Sequence, residues 1–306
     1  MFWFVTKRLV QAIPLLAIVV ILTFFMIRMA PGSPFVASAE LPPEIRANLA
    51  AQYGLNLPLH EQLFRFIGAV LQGDFGMSLM QKSHSVKEII GAGFPVSALL
   101  ATLSMTLSVL VGLCLGLMAA RSQNSWIDTM CTSLAVVGKT IPPMIIAPAF
   151  VTFFSLLLRW LPVQGWGCWQ HLVGPVICLA LYDTAAIARL MRGAALESLA
   201  KPYVMAARSK GAGDVRIFFI HVLREAILPL VSYLAPAFSG LLVGTVVVES
   251  VFNVPGLGRY LVEAAQARDF NLIIGITFLG AVCLVVFNIL ADVLLTVIDP
   301  RINFDR

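Results

Sequence analysis

The sequence predicts an all-α membrane protein with six transmembrane helices, and three of its features do so. Hydrophobic residues make up 59% of the chain and charged residues only 12%, where a soluble domain carries about 25% charged; mean hydropathy is +0.90. The apolar residues fall in six continuous runs, and about 20 such residues, rising 1.5 Å each, cross a hydrocarbon core about 30 Å thick. The charge is bunched: Arg189 to Glu225 holds seven basic and three acidic residues, and with them +4 of the +5 formal net charge. Continuous runs exclude a closed barrel, whose strands alternate, and leave helices as the structure that satisfies its own backbone in lipid. The pI near 9.1 does not indicate nucleic acid, because the basic residues lie beside apolar spans rather than interleaved with aromatics.

The first run, Leu9 to Ile27, follows Lys7 and Arg8. It is too long for a signal-peptide core and lacks a small-residue cleavage site, so it is expected to stay as the first span. Pro31 to Gly93 is too long for a turn. Within it, Leu41 to Gly54 and Leu59 to Leu71 have helical apolar spacing with Pro42, Pro43 and Pro58 near their starts, which predicts short external helices between spans one and two. Val96 to Ala120 is the second span. The third, Cys131 to Leu158, contains Pro142, Pro143 and Pro148; each removes a backbone donor, so a kinked or broken helix is expected, and it can line a transport path. Leu172 to Ala188, Ile227 to Val248 and Leu272 to Ile298 complete the six.

Between spans four and five the basic segment reads as a solvated loop. An excess of Lys and Arg in a short loop places it in the cytoplasm, and both termini with it. A basic loop of this size also suggests a docking surface for another protein. The chain divides accordingly into 1–30, the N-terminus and first span; 31–95, an external region; and 96–306, a five-span core with the loop at 189–226.

Several residues invite chemistry. Lys139 and Asp183 lie deep in spans, where ionisable groups tend to face a cavity or each other, and a salt bridge between them is one reading; Asp292 lies near the inner end of span six. Ser133 with Gly138, Lys139 and Thr140 falls one glycine short of a phosphate-cradling loop and sits inside an apolar run with no strand before it, so nucleotide is expected to bind elsewhere. Glu249 and the turn Pro255, Gly256, Leu257, Gly258 fall just past span five, where paired glycines allow the tight geometry of an external gate. His221 and Glu225 are spaced as a helix pair and lack a third metal ligand. The five cysteines have no paired spacing and read as small apolar residues, with Cys168 in an external loop. No catalytic constellation appears, and no metal or cofactor is expected on this chain.

Inside the basic segment, Tyr203 to Lys210 places Ala206 and Ala207 side by side before Gly211, a residue that can end a helix. The result is a compact knob able to enter a cleft on a partner. Here the chain resembles the permease subunits of ABC importers, whose cytoplasmic loop reads Glu-Ala-Ala, three residues, Gly, and later Leu-Pro. Ala206, Ala207 and Gly211 match at the family spacing and Leu228 and Pro229 match the end. Met205 replaces the Glu and 17 residues separate Gly211 from Pro229, departures typical of the peptide-importing branch. Pro31-Gly32-Ser33-Pro34, Gly73-Asp74-Phe75-Gly76, Val248 to Phe252 with Pro255 to Gly258, and Asp299-Pro300-Arg301 extend the likeness over nearly the whole chain.

The resemblance is to the first integral subunit of oligopeptide and dipeptide importers. It implies a multi-pass protein of the bacterial inner membrane, paired with a second homologous permease, two ATP-binding subunits that hold ATP and Mg, and a periplasmic or lipid-anchored peptide-binding protein. It also implies that Ala206, Ala207 and Gly211 fit the ATPase contact, flanked by Arg208 and Lys210. A gradient-driven transporter using Lys139, Asp183 and Asp292 as an ion relay is the rival reading.

Overall fold

A computed structural model describes residues 2–29, 56–79, 81 and 83–298. The motif Pro31 to Pro34, the expected helix Leu41 to Gly54 and the terminal Asp299-Pro300-Arg301 lie outside the described residues. Everything long among the described residues is helical: α1 (Phe2–Met29), α2 (Leu59–Leu71), α3 (Val86–Arg121), α4 (Trp126–Thr140), α5 (Pro143–Phe150, continued by a π-helical turn Val151–Leu157), α6 (Gln170–Leu199), α7 (Pro202–Ser209), α8 (Leu223–Gly244, entered through a π-helical turn Ile217–Val222), α9 (Val246–Phe252), α10 (Leu257–Ala267) and α11 (Phe270–Ile298). Among the described residues five helical stretches are long and apolar enough to cross a membrane, and the pair Trp126–Thr140 and Pro143–Leu157, bent by 99°, makes a sixth if it is counted as one span.

The break has a local cause. Pro142 is extended at φ −62°, ψ 145° and Pro143 takes the first helical position, where its missing N–H would have had no partner. The expected kinked span is therefore two helices meeting at Ile141 and Pro142.

Several spans outrun their apolar runs. α3 begins at Val86, ten residues before Val96, because Ser85 and Glu88 form a reciprocal cap: the Glu88 N–H donates to Ser85 Oγ at 3.2 Å and the Ser85 N–H to Glu88 Oε2 at 2.9 Å. α6 continues past Ala188 to Leu199, and helix resumes at Asp214. The basic segment is thus mostly helix ends and one short helix, and the long helix reaches further into it than the apolar run Leu172 to Ala188 suggested, because nothing between Arg189 and Leu199 breaks the α6 ladder.

By internal packing the chain forms two compact units, one of Ala98–Val254 with the stretch from Val286, the other of Phe2–Ser97 with Pro255–Val285. In the second, Val86, Ile89, Leu257, Ala264, Leu272 and Ile276 form a buried core that joins the starts of α3 and α11 to α10. Capping holds this core in register: the Leu257 N–H donates to Ser97 Oγ at 2.8 Å and the Leu272 N–H to Asp269 Oδ1 at 3.1 Å. Ser78 donates to the other oxygen of Asp269, tying the Gly73 to Gly76 turn to the head of α11. That turn uses its glycines, with φ +73° and +79°, while Asp74 Oδ1 accepts the Gly76 N–H at 2.8 Å.

In the first unit α6 is the central helix, packed by α4, α5, α8 and α9. α3 joins it through glycines. A Cβ on Gly112 would lie 2.8 Å from Ile187 Cβ and one on Gly116 only 2.5 Å from the Ala188 carbonyl oxygen. One turn earlier on the same face, Ser108 Oγ donates to the Ala180 carbonyl at 2.9 Å.

Candidate functional site

The short helix α7 is built by its two ends. Lys201 is extended and Pro202 stands at the first helical position. At the other end Gly211 has φ +79°, its N–H reaches the Arg208 carbonyl at 2.9 Å, and the Ala212 N–H reaches the Ala207 carbonyl at 3.1 Å. These paired bonds around a left-handed glycine close the helix and turn the chain back. Val204 is fully buried as the anchor, while Ala206 and Arg208 are exposed and Ala207 half-buried. Arg208 lies 3.9 Å from Asp214, both largely in solvent, a contact worth little.

Beside the helix lies a cleft of about 460 Å³ lined by Ala206, Ala207, Lys210, Gly211, Arg216 and His221 among others. Sequence reasoning foresaw a knob. The structure adds a basic hollow next to it, made because the π-helical entry to α8 brings Arg216 and His221 alongside α7.

Glu225 clamps this assembly. It accepts hydrogen bonds from Ser198 Oγ at 3.0 Å, from Lys201 Nζ and from Tyr203 OH, so one carboxylate joins the end of α6, both sides of the α7 N-terminus and the start of α8. The bond to Glu225 raises the Lys201 ammonium above its ordinary pKa, and burial followed by the Glu225 bond raises the Tyr203 phenol. Both therefore stay protonated through the physiological range, so the clamp does not open with modest changes of pH.

A second clamp lies nearby in the same unit. Arg192 Nε and Nη2 grip Asp128 Oδ1 and Oδ2 at 2.6 and 2.7 Å, with side-chain exposures of 29% and 6%. The Asn124 N–H adds a bond to Asp128 Oδ2 at 3.0 Å. Arg192, expected in a solvated loop, instead ties α6 to the α4 N-terminus. Asp128→Ala leaves a partly buried guanidinium without its carboxylate and should lower stability by roughly 1–3 kcal/mol. Detergent-extracted protein should melt several degrees lower; pairing it with Arg192→Met should recover part of the loss, and an unchanged melting temperature for Asp128→Ala would refute the clamp.

Of the intramembrane candidates, Asp183 is buried and accepts a hydrogen bond from Tyr233 OH at 2.6 Å, which joins α6 to α8. Lys139 is exposed on α4, one turn before the break at Pro142 and Pro143. The salt bridge suggested between them is not formed: Tyr233 on α8 takes the aspartate's side. Asp292 lies within α11, near its C-terminal end.

The residues expected at an external gate fall in both units. Glu249 is fully buried within α9 and accepts from Thr245 Oγ1 at 2.6 Å, whereas Pro255, Gly256 and Gly258 belong to the other unit. Gly256 is extended at φ −104°, ψ 177° and Gly258 lies inside α10. The left-handed residue is Asn253, at φ +55°, whose N–H caps α9 by bonding the Ser250 carbonyl at 3.4 Å; neither Gly256 nor Gly258 has a positive φ.

Residues 112–304 match the family model of the binding-protein-dependent transport system inner membrane component, and residues 1–108 match the model of its N-terminal part. The chain belongs to this permease family. Within it, the oligopeptide transport system permease protein OppB of Haemophilus influenzae is 40% identical over 303 residues, covering 98% of this chain and 99% of that protein. The dipeptide transport system permease protein DppB of Lactococcus lactis is 33% identical over 300 residues, covering 98% and 99%. The chain is thus an ABC importer permease of the oligopeptide and dipeptide branch, not a gradient-driven transporter. An inward-facing structure of the MetNI methionine ABC transporter covers 70% of this permease and 97% of its own chain at 17% identity, with a TM-score of 0.56, a likeness of fold alone.

Sequence reasoning missed four groups in the permease: Asp128, Arg192 as its partner, Tyr233, and the paired Gly112 and Gly116. Two signals were present. Gly112 and Gly116 spell Gly-x-x-x-Gly within an apolar run, a known device for close helix approach. Ser125 precedes Asp128 by three residues and its Oγ accepts the Asp128 N–H at 3.4 Å, the start signal of a helix. Nothing local pointed to Tyr233.

Proposed function

We propose that this permease forms, with a second homologous permease, the path for peptides, in particular oligopeptides, across the bacterial inner membrane. An external peptide-binding protein, periplasmic or lipid-anchored, delivers the cargo, and two ATP-binding subunits holding ATP and Mg supply the work from the cytoplasm, where both termini lie. The observation that carries this reading is the construction of α7: a short, exposed helix closed by Gly211 and clamped by Glu225 to both α6 and α8. A rigid handle is what a separate motor needs. Ala206, Ala207 and Gly211 fit the ATPase, Arg208 and Lys210 flank the contact, and the clamp passes displacement of α7 into two spans, which move as packed units. The bend at Pro142 and Pro143, with Lys139 and the Asp183 pair, is assigned to the path, and Glu249 with Pro255, Gly256 and Gly258 to its external side.

The test is a crosslink. The Ala207→Cys variant, in cells expressing the whole importer, should trap an ATP-hydrolysing subunit with a short bifunctional reagent. Peptide uptake in vesicles should require those subunits and survive an ionophore. Uptake that persists without ATPase subunits, or an Ala207→Cys variant that never captures one, rejects the proposal.

A further inference from the structure

In the unit formed by Phe2–Ser97 and Pro255–Val285, two neighbouring cavities lie along α1, α2 and α11 and together make a cleft that changes character along its length. Its apolar part, about 340 Å³, is walled by Ile13, Ala17 and Ile21 of α1, Ile67 and Leu71 of α2 and Phe278 of α11. One turn further along each helix it continues as a polar part of about 250 Å³, where Phe24, Phe66 and Ile274 give way to Arg28, Arg65 and Asn271. The apolar stretch of α1 from Ile13 to Phe24 rises about 16 Å at 1.5 Å per residue, close to half of a hydrocarbon core about 30 Å thick. Arg28 lies two residues past Met26, where the stretch apolar enough to span ends, and a span ending there brings it towards the lipid headgroups.

The cationic end is built to receive an anion. The Arg28 guanidinium is held between two rings, 5.3 Å from the centre of Phe24 and 5.1 Å from that of Phe270, which fixes it while leaving its N–H edge available. Neither Arg28 nor Arg65 has a carboxylate within ion-pair distance among the described residues. Among the described residues the one acid lining this part, Asp74, has Oδ1 bonded to the Gly76 N–H. Among the described residues, two arginines and one aspartate leave a surplus of one positive charge, which a single phosphate diester balances.

We infer that this cleft is a binding site for one phospholipid, whose phosphate sits between Arg28 and Arg65 and one of whose acyl chains lies in the groove from Ile21 to Ile13. Basic pockets between spanning helices select anionic headgroups, and an acyl chain supplies the apolar surface that the groove lacks. A helix of a second permease would fill the groove but would bring no phosphate to the arginines. The cleft would thereby fasten α2 to α1 through lipid.

The experiment uses the assembled importer, purified in a mild detergent, stripped of bulk lipid and examined by native mass spectrometry while phosphatidylglycerol is titrated in. Wild-type protein should retain one phosphatidylglycerol. Arg65→Met, an exposed side chain on a short helix, and Arg28→Met should each weaken retention about tenfold, the loss of one charge-assisted bond. Arg28→Lys should keep most of it. Ala17→Phe, which fills the apolar groove and leaves both arginines, should weaken retention too. A galactosyl diacylglycerol without phosphate should not substitute, and phosphatidylethanolamine shows whether the phosphate alone suffices. Retention unchanged in both Met variants, equal retention of the galactolipid, or a photo-crosslinker at position 17 that captures a protein helix instead of lipid, each overturns the inference.

Discussion

Leucine in place of Gly116 should remove nearly all folded permease from the membrane. A mere Cβ at 116 would meet the Ala188 carbonyl oxygen at 2.5 Å, Met191 Cβ at 2.8 Å and the Arg192 nitrogen at 3.1 Å. Two of the three are backbone atoms of α6 and cannot turn aside, so α3 and α6 must separate. In lipid no hydrophobic force draws apolar helices together; close packing and short polar contacts do. Separation therefore loses the Gly112 contact and strains the Ser108 to Ala180 bond on the same face. Overpacking a close-packed site typically costs about 1–3 kcal/mol, and four extra carbons pressed on backbone should reach or pass the upper end. Expressed as a fluorescent fusion, Gly116→Leu should lose at least about tenfold of the monodisperse peak on size exclusion, by the 1.4 kcal/mol per decade rule. Gly193→Ala is the control: it lies in α6, and a Cβ there meets nothing within 4 Å, so it should fold as well as wild type. A normal peak for Gly116→Leu would show that the two helices are not in contact at this face.

Tryptophan at position 211 should leave the permease folded and uncouple it. Gly211 holds φ +79° at the end of α7, and no atom lies within 4 Å of where its Cβ would be. A side chain is thus tolerated sterically, at a backbone cost of about 1–2 kcal/mol for the left-handed conformation. The effect falls on the neighbouring cleft, which an indole would fill beside Ala206 and Ala207. In vesicles reconstituted with all its partner subunits, ATP hydrolysis should continue while peptide uptake drops by at least about tenfold, since one misplaced contact can cost on that order or more. Gly211→Ala, which carries the backbone strain without the bulk, should keep most of the uptake. Equal uptake per ATP in wild type and Gly211→Trp would remove α7 from the coupling route.

Much of this permease is legible in its residues. Each apolar run became helical because the bilayer demands internal hydrogen bonding over a set length. Pro142 and Pro143 announced the break, and Leu59 to Leu71 formed the helix its spacing predicted. Ala206, Ala207 and Gly211 announced α7, since a left-handed glycine closing a helix is a local event. What failed was the reading of charge. Arg192 and Glu225 look alike in sequence to any solvated residue of a basic segment, and became clamps only when α4, α6 and α8 met.

What the sequence by itself determined is therefore the existence and order of the long helices, the break at the prolines and the short exposed helix among them, because thickness and prolines act within a few residues. The tertiary structure alone decided the partners: Asp128 with Arg192 across 64 positions and Asp183 with Tyr233 across 50. It also decided that the left-handed turn near α9 falls on Asn253 rather than on the glycines after it. Such pairings depend on how closely helices approach, and here Gly112 and Gly116 show that approach to be set by the absence of a single carbon atom.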